Sequence, residues 1–154
     1  SFATFRREQR YAGYRHRRVA RLWPAWLKAA FRVKIWSAWS EPSLRPGYPD
    51  SLAWGFWLGQ EMLFWLEVDT GKKNQHELRH IYTRRWKQAA AYAQQHDLPI
   101  IFVVLAKPWV LSVIRPIFCD LPDGMAVLLQ DWRDFGHLPM PNFGYCTYGV
   151  VKGA

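Results

Sequence analysis

The run Met62-Leu63-Phe64-Trp65-Leu66 closes on Glu67-Val68-Asp69. Five consecutive apolar residues leave no exposed face, so the segment reads as a strand covered on both sides, in the middle of a sheet. A carboxylate at the end of such a strand is costly to bury without a cation or a hydrogen-bond donor. Glu67 and Asp69 are two apart on an extended segment and point to one face, while Val68 points away and its carbonyl is available as a further ligand. A chain with this run must fold so that two carboxyl groups sit side by side at the rim of a central strand.

A third acid is placed to join them. Pro49-Asp50 precedes an apolar and aromatic run, Ser51 to Leu58, which reads as the strand before Met62–Val68. A tight turn at Gly59-Gln60-Glu61 would make the two strands hairpin partners and bring Asp50 toward Glu67. Taken singly, the two halves have a plainer reading: Pro-Asp is a common turn dipeptide, and an acid before Thr-Gly is often a turn or cap residue.

The other segments define the frame. Residues 5–22 read as an Arg-rich helix, with Val19, Leu22, Trp23, Trp26, Leu27 and Ala30 at helical spacing and Pro24 expected to kink it or begin a second short helix. Phe31 to Trp36 alternates as a half-buried strand with Phe31, Val33 and Ile35 inward. Ser40 to Tyr48 is a loop. Gln75 to His96 is a long helix with an apolar stripe of Leu78, Ile81, Tyr82, Trp86, Ala89, Tyr92 and Ala93, stopped by Asp97-Leu98-Pro99. Ile100 to Leu105 is a strand, 108–118 a short helix and Ala126 to Leu129 a last strand, before an irregular tail. The expected class is α/β, a central mixed sheet flanked by helices in the order α-β-β-β-α-β. At 154 residues, half of them apolar and 17% aromatic, the chain can pack one such domain. It divides into a basic helical segment (1–30), a core (31–130) and a tail (131–154). No apolar stretch approaches the roughly 20 residues of a membrane span, so no membrane role is expected. The Arg-rich first residues do not read as a signal peptide.

Charge is unevenly distributed. Of the formal +9, all lies in residues 1–36, where Arg6, Arg7, Arg10, Arg15, Arg17, Arg18, Arg21, Lys28, Arg32 and Lys34 face one acid, Glu8; the rest of the chain is balanced, with eleven basic and eleven acidic groups. A basic segment on a neutral domain points to a polyanion partner, nucleic acid being the expected one; a solvated helix face or a basic linker is the plainer reading. Cys119 and Cys146 lack metal-ligand spacing and read as free thiols of a reducing cytoplasm.

The pattern resembles the PD-(D/E)xK restriction-endonuclease-like superfamily over Phe31 to Leu105. Pro49-Asp50 matches the first half of its motif and Glu67-Val68-Asp69 the second. Gln88-Ala89-Ala90-Ala91-Tyr92 is similar to the QxxxY helix of the RecB-type exonuclease branch, whose Gln and Tyr face the active centre or DNA; an ordinary i,i+4 helix pair is the plainer reading. A closer resemblance is to the replication-relaxation family of plasmids and mobile elements, carried by Arg45-Pro46-Gly47-Tyr48-Pro49-Asp50, by Phe64 to Gly71 and by the basic helix to Tyr92. It implies a bacterial, cytoplasmic protein of plasmid replication or mobilisation, with a winged-helix domain expected before Ser1. The chain departs from the superfamily at Asp69, where a catalytic Lys usually stands.

Three functions follow. In a Mg2+- or Mn2+-dependent DNA endonuclease, Asp50 and Glu67 ligate metal, Asp69 is a third ligand or water-positioning base, and Lys72 or Lys73 offsets phosphate charge, with Arg79 or Arg84 as alternatives from the helix. Gln88 and Tyr92 flank that site, and the N-terminal arginines with Arg79, Arg84 and Arg85 contact nucleic acid. A non-catalytic module would keep the fold for DNA or protein binding, a reading the Asp69 departure favours. Exposed aromatics among Trp23, Trp26, Trp36, Trp39, Trp54, Trp57 and Trp65 would suit a homodimer or partner interface, although core packing explains most of them more simply.

Overall fold

The computed structural model describes residues 14–40, 42, 47–131 and 150–152. A six-stranded sheet runs in sequence order, β1 to β6. Helix α1 spans Tyr14–Phe31, followed by β1 (Lys34–Ser40), β2 (Ser51–Trp57) and β3 (Gln60–Val68). Helix α2 (Gln75–Gln95) crosses to β4 (Ile100–Ala106), and α3 (Pro108–Ile114) with a 3-10 turn crosses to β5 (Met125–Asp131) and β6 (Val150–Lys152). The first three strands are an antiparallel meander, β3, β4 and β5 are parallel, and β6 returns antiparallel. The mixed sheet flanked by helices is as expected.

Side-chain alternation divides the core into two layers. Leu63, Trp65, Phe102, Val104, Val127 and Leu129 face α2 and α3. Phe64, Leu66, Val68, Val103 and Leu105 face α1. Strand β3 is buried from Met62 onward, as its apolar run requires.

Several boundaries differ from the sequence reading. Residues 5–13 of the expected first helix lie outside the described residues. What is described of it continues through Pro24 to Phe31. An interior proline costs about 3 kcal/mol, but Ala20, Trp23, Trp26 and Leu27, all buried on the sheet, hold the helix on both sides of it. Leu22, counted in the apolar stripe, is exposed. Phe31 and Val33 precede the strand, because Arg32 takes a left-handed conformation (φ 54°) and ends the helix one residue before Val33. The inward set is unchanged: Val33 is buried, and Phe31 and Ile35 pack against the α1-side core. The hairpin turn is the pair Leu58-Gly59, both at positive φ, with Trp57 opposite Gln60; Gln60 and Glu61 belong to β3. In the segment expected to be irregular, 150–152 forms β6.

Gly55 shows how closely β1 and β2 approach. A Cβ built there would stand 2.2 Å from the backbone oxygen of Lys34, a contact that only strand displacement relieves. Gly55→Ala should therefore cost about 2–4 kcal/mol in urea unfolding; a loss below about 1 kcal/mol would contradict this packing.

Candidate functional site

The alternation that buries β3 also aims its acids. Trp65, Glu67 and Asp69 follow one another on the α2 face, while Leu66 and Val68 face α1. Glu67 and Asp69 are each 1% exposed. Asp50, one residue before β2, is tied to the same strand end at two points. Its N–H donates to the Leu66 carbonyl (3.0 Å), and its Oδ2 accepts from the Val68 N–H (2.7 Å). The predicted convergence of Asp50 and Glu67 is present: their carboxyl groups are hydrogen-bonded neighbours.

Helix α2 supplies the compensating groups. It starts immediately after the acids because Asn74 caps it, accepting from the Glu77 N–H (2.9 Å) and donating to the Glu77 carboxylate (2.9 Å). Leu78, Tyr82, Arg85 and Ala89 then recur at spacings of three and four residues on one helix face. From that face Arg85 Nη1 donates to Glu67 Oε2 (2.8 Å), and its guanidinium lies 5.6 Å from the Tyr82 ring centre. Glu67 Oε1 accepts from the Trp65 indole N–H (2.9 Å). The Tyr82 hydroxyl donates to Asp69 Oδ2 (3.1 Å), which Lys73 Nζ also reaches (3.2 Å). Asp69 Oδ1 accepts from the Gly71 N–H (2.8 Å), and Gly71 takes the left-handed φ of 81° that the turn needs.

Burial pushes the Glu67 carboxyl up to about 8, and the neighbouring Asp50 adds to that, against the opposing pull of Arg85 and the Trp65 hydrogen bond. At Arg85 the balance is reversed. Burial disfavours its charge, but Glu67, then Tyr82 and the other two acids, outweigh it and raise its pKa. Arg85 is thus the permanent charge, and Glu67 is the group that burial biases toward its protonated form. Burial, then Asp69 and Glu67, push the Tyr82 hydroxyl well above its ordinary value, so it remains a donor.

The other candidates are less central. Lys72 is exposed; Lys73, not Lys72, reaches an acid. Arg79 and Arg84, considered as sources of charge at the acids, line the outward face of α2 with His76, His80 and Lys87. Gln88 lies against Gly47, its Oε1 3.0 Å from where a Cβ there would stand, and so touches the loop leading to Asp50. Tyr92 packs edge-on against Trp65 (centroids 6.0 Å apart) and against His96 (4.4 Å), and burial raises its pKa. Gln88 and Tyr92 therefore flank Trp65, whose indole holds Glu67. Arg17, Arg18 and Arg21 are exposed on α1, across the sheet from the acids; Arg15 is also in α1, and Arg6, Arg7 and Arg10 lie outside the described residues. Trp23, Trp26 and Trp65 are buried and offer no interface.

Tyr82 and the pairing of Arg85 with Glu67 were missed by sequence reasoning, which assigned Tyr82 to the apolar stripe and Arg85 to nucleic acid. The signal was available: a charged residue shares the core-facing stripe of α2. Asp131 was also missed. It is buried at the end of β5, opposite Ala106 and roughly 10 Å, two strand spacings, from Asp69. Among the described residues, no three His, Cys, Asp or Glu side chains converge closely enough to hold a metal ion. Asp50 and Glu67 do form a two-carboxylate oxygen set, and that set fits a hard divalent cation completed by water. Among the described residues, no helix is long and apolar enough to cross a membrane.

Compared with known proteins, the chain matches no family model, no curated protein and no solved structure.

Two outcomes follow from this geometry. Glu67 has a raised pKa, so the folded state binds more protons than the unfolded chain between about 4.5 and 8. Stability should fall across that window as pH rises, by an amount on the order of a few kcal/mol, and Glu67→Gln should flatten the profile. Urea unfolding of both proteins over this range is the check; a wild-type profile as flat as the variant's would contradict the assignment. Tyr82→Phe, which leaves buried Asp69 one donor short, should cost about 1–3 kcal/mol in the same assay.

Proposed function

We propose that this chain is a nuclease-like domain acting on DNA, with a divalent cation held by Asp50 and Glu67. The observation that carries the reading is the carboxyl pair itself. Two acids from adjacent strands meet at one buried strand end, where burial and their mutual repulsion outweigh the Arg85 pairing and favour a proton or a cation. The element order and the Pro49-Asp50 and Glu67-Val68-Asp69 segments support a restriction-endonuclease-like core related to the replication-relaxation family of plasmids and mobile elements. Mg2+ or Mn2+, when bound, would neutralise phosphate charge and acidify a water molecule.

The chain's own residues divide the remaining work. Arg85 orients Glu67 and keeps a fixed positive charge beside the pair. Asp69 does not supply the positive charge of the usual Lys, but it holds Lys73 at the same rim. Trp65, backed by Tyr92, fixes the second oxygen of Glu67 and keeps water from that side. The outward basic face of α2 is available to DNA phosphates.

One observation favours a second reading, a DNA-binding module without catalysis. The Asp69 carboxylate is fully engaged by Gly71, Tyr82 and Lys73, which leaves two acids rather than three for a metal. Cleavage of supercoiled and single-stranded DNA with Mg2+ or Mn2+ separates the two. The nuclease reading predicts metal-dependent cutting that falls about a hundredfold or more in Asp50→Ala and Glu67→Ala. Salt-sensitive DNA binding with no cutting under either metal would replace it with the binding module.

A further inference from the structure

We propose that Trp109 and Lys107, where β4 passes into α3, hold one nucleotide of the substrate strand beside the carboxyl pair, with an unpaired base stacked on the Trp109 indole. This rests on the reading of Asp50 and Glu67 as a phosphodiester site. Strands β3, β4 and β5 are parallel, and ligands of such sheets bind outside the carboxyl ends of the strands. Asp69 follows the last residue of β3, and Lys107 follows the last residue of β4. Both stand at that end of the sheet. Neighbouring strands are about 5 Å apart, so the end of β4 lies roughly 10 Å from the start of β2, which Asp50 precedes. One or two nucleotides of an extended strand bridge such a gap.

Contacts tie the two side chains to the turn that holds Asp69. Gly71, whose N–H donates to Asp69, stands against both: a Cβ built there would lie 3.3 Å from Lys107 Cδ, 3.4 Å from Trp109 Cζ2 and 3.6 Å from Trp109 Nε1. The two indole atoms lie along one edge of the ring. Trp109 is 42% exposed, although Val110 and Leu111 beside it are fully buried. A ring pinned along an edge and open elsewhere offers a rigid π-face, which any base can stack on without hydrogen-bond readout. A duplex keeps its base faces inside the stack, so the base must be unpaired or turned out of the helix.

The charge that selects the occupant is carried by the same two loops. Residues 70–74 and 107–109, which meet at Gly71, contain Lys72, Lys73 and Lys107 and no acid. Lys73 is paired with buried Asp69, and Lys72 and Lys107 are exposed. The nearest exposed acid in sequence, Glu77, accepts from the Asn74 side chain at the cap of α2. A nucleotide gives each group a partner: its base to Trp109, its phosphate to Lys107 and Lys72, and the adjoining phosphodiester to a cation at Asp50 and Glu67. An acidic peptide satisfies the lysines alone, and a second copy of the chain would set lysine against lysine.

The test is binding in chelator, where no cutting occurs. Labelled oligothymidine of about 12 nucleotides, and an abasic strand of equal length and phosphate charge, are titrated by fluorescence anisotropy. The proposal expects oligothymidine to bind about tenfold more tightly than the abasic strand, a preference that Trp109→Ala abolishes and Trp109→Phe largely keeps. Lys107→Gln should weaken both strands alike and reduce the slope of log affinity against log salt by about 0.7. Trp36→Ala, which removes a tryptophan of β1 that is 46% exposed, should change neither. Equal affinity for the two strands, no binding of either, or a base preference that survives in a folded Trp109→Ala protein overturns the proposal. Displacement by oligoglutamate as effective as by oligothymidine assigns the rim to an acidic protein instead. A base preference that depends on Trp109, without cutting in Mg2+ or Mn2+, would leave this proposal standing and remove only the catalytic reading; cutting with KM and rate unchanged in Trp109→Ala would do the reverse.

Discussion

The burial of carboxyl groups at the end of β3 is the constraint around which the rest is arranged. A strand covered on both faces has no water for Glu67 and Asp69, and an unpaired charge there would cost several kcal/mol. Every nearby element answers that demand. Helix α2 begins at its Asn74 cap just past the acids and turns Tyr82 and Arg85 inward. The Gly71 turn contributes an N–H, and the Trp65 indole N–H donates a hydrogen bond to Glu67 although the ring itself is core. Arg85 pairs with Glu67 and Lys73 with Asp69, and burial still holds the Glu67 carboxyl up at about 8.

The sheet then separates two kinds of surface. Its α1 side carries exposed arginines on a helix anchored by buried tryptophans. Its α2 side carries the acids, the outward basic face of α2 and the exposed aromatic hairpin. Among the described residues, Arg15, Arg17, Arg18, Arg21 and Lys28 of the basic first segment belong to α1, across the sheet from the acids.

Much of this was legible in the residues because period and burial coincide there. The apolar run Met62–Leu66 identified the buried strand, the two-residue spacing placed Glu67 and Asp69 on one face, and the i,i+3/i+4 stripe identified α2. Boundaries failed where a single backbone angle decides them: Arg32 and Leu58 adopt positive φ, which neither residue type announces. Pro24 misled because tertiary burial outweighs its local cost. Arg85 was assigned to nucleic acid because a basic residue on a polar helix reads as solvated; its place in the apolar stripe marked it as inward, and the fold adds that its partner is Glu67. Strand β6 was missed because three residues carry too little pattern to separate from a tail.

The central claim is that Asp50 and Glu67 share a site that takes either a proton or a divalent cation. Calorimetric titration of the protein with Mn2+ near pH 7, repeated in two buffers of different ionisation enthalpy, measures both binding and proton release. The account predicts saturable binding that releases close to one proton, tightens as pH rises toward about 8 and is lost in Asp50→Ala. Absence of Mn2+ binding at pH 8 and above, or binding that releases no proton and survives Asp50→Ala, would contradict it.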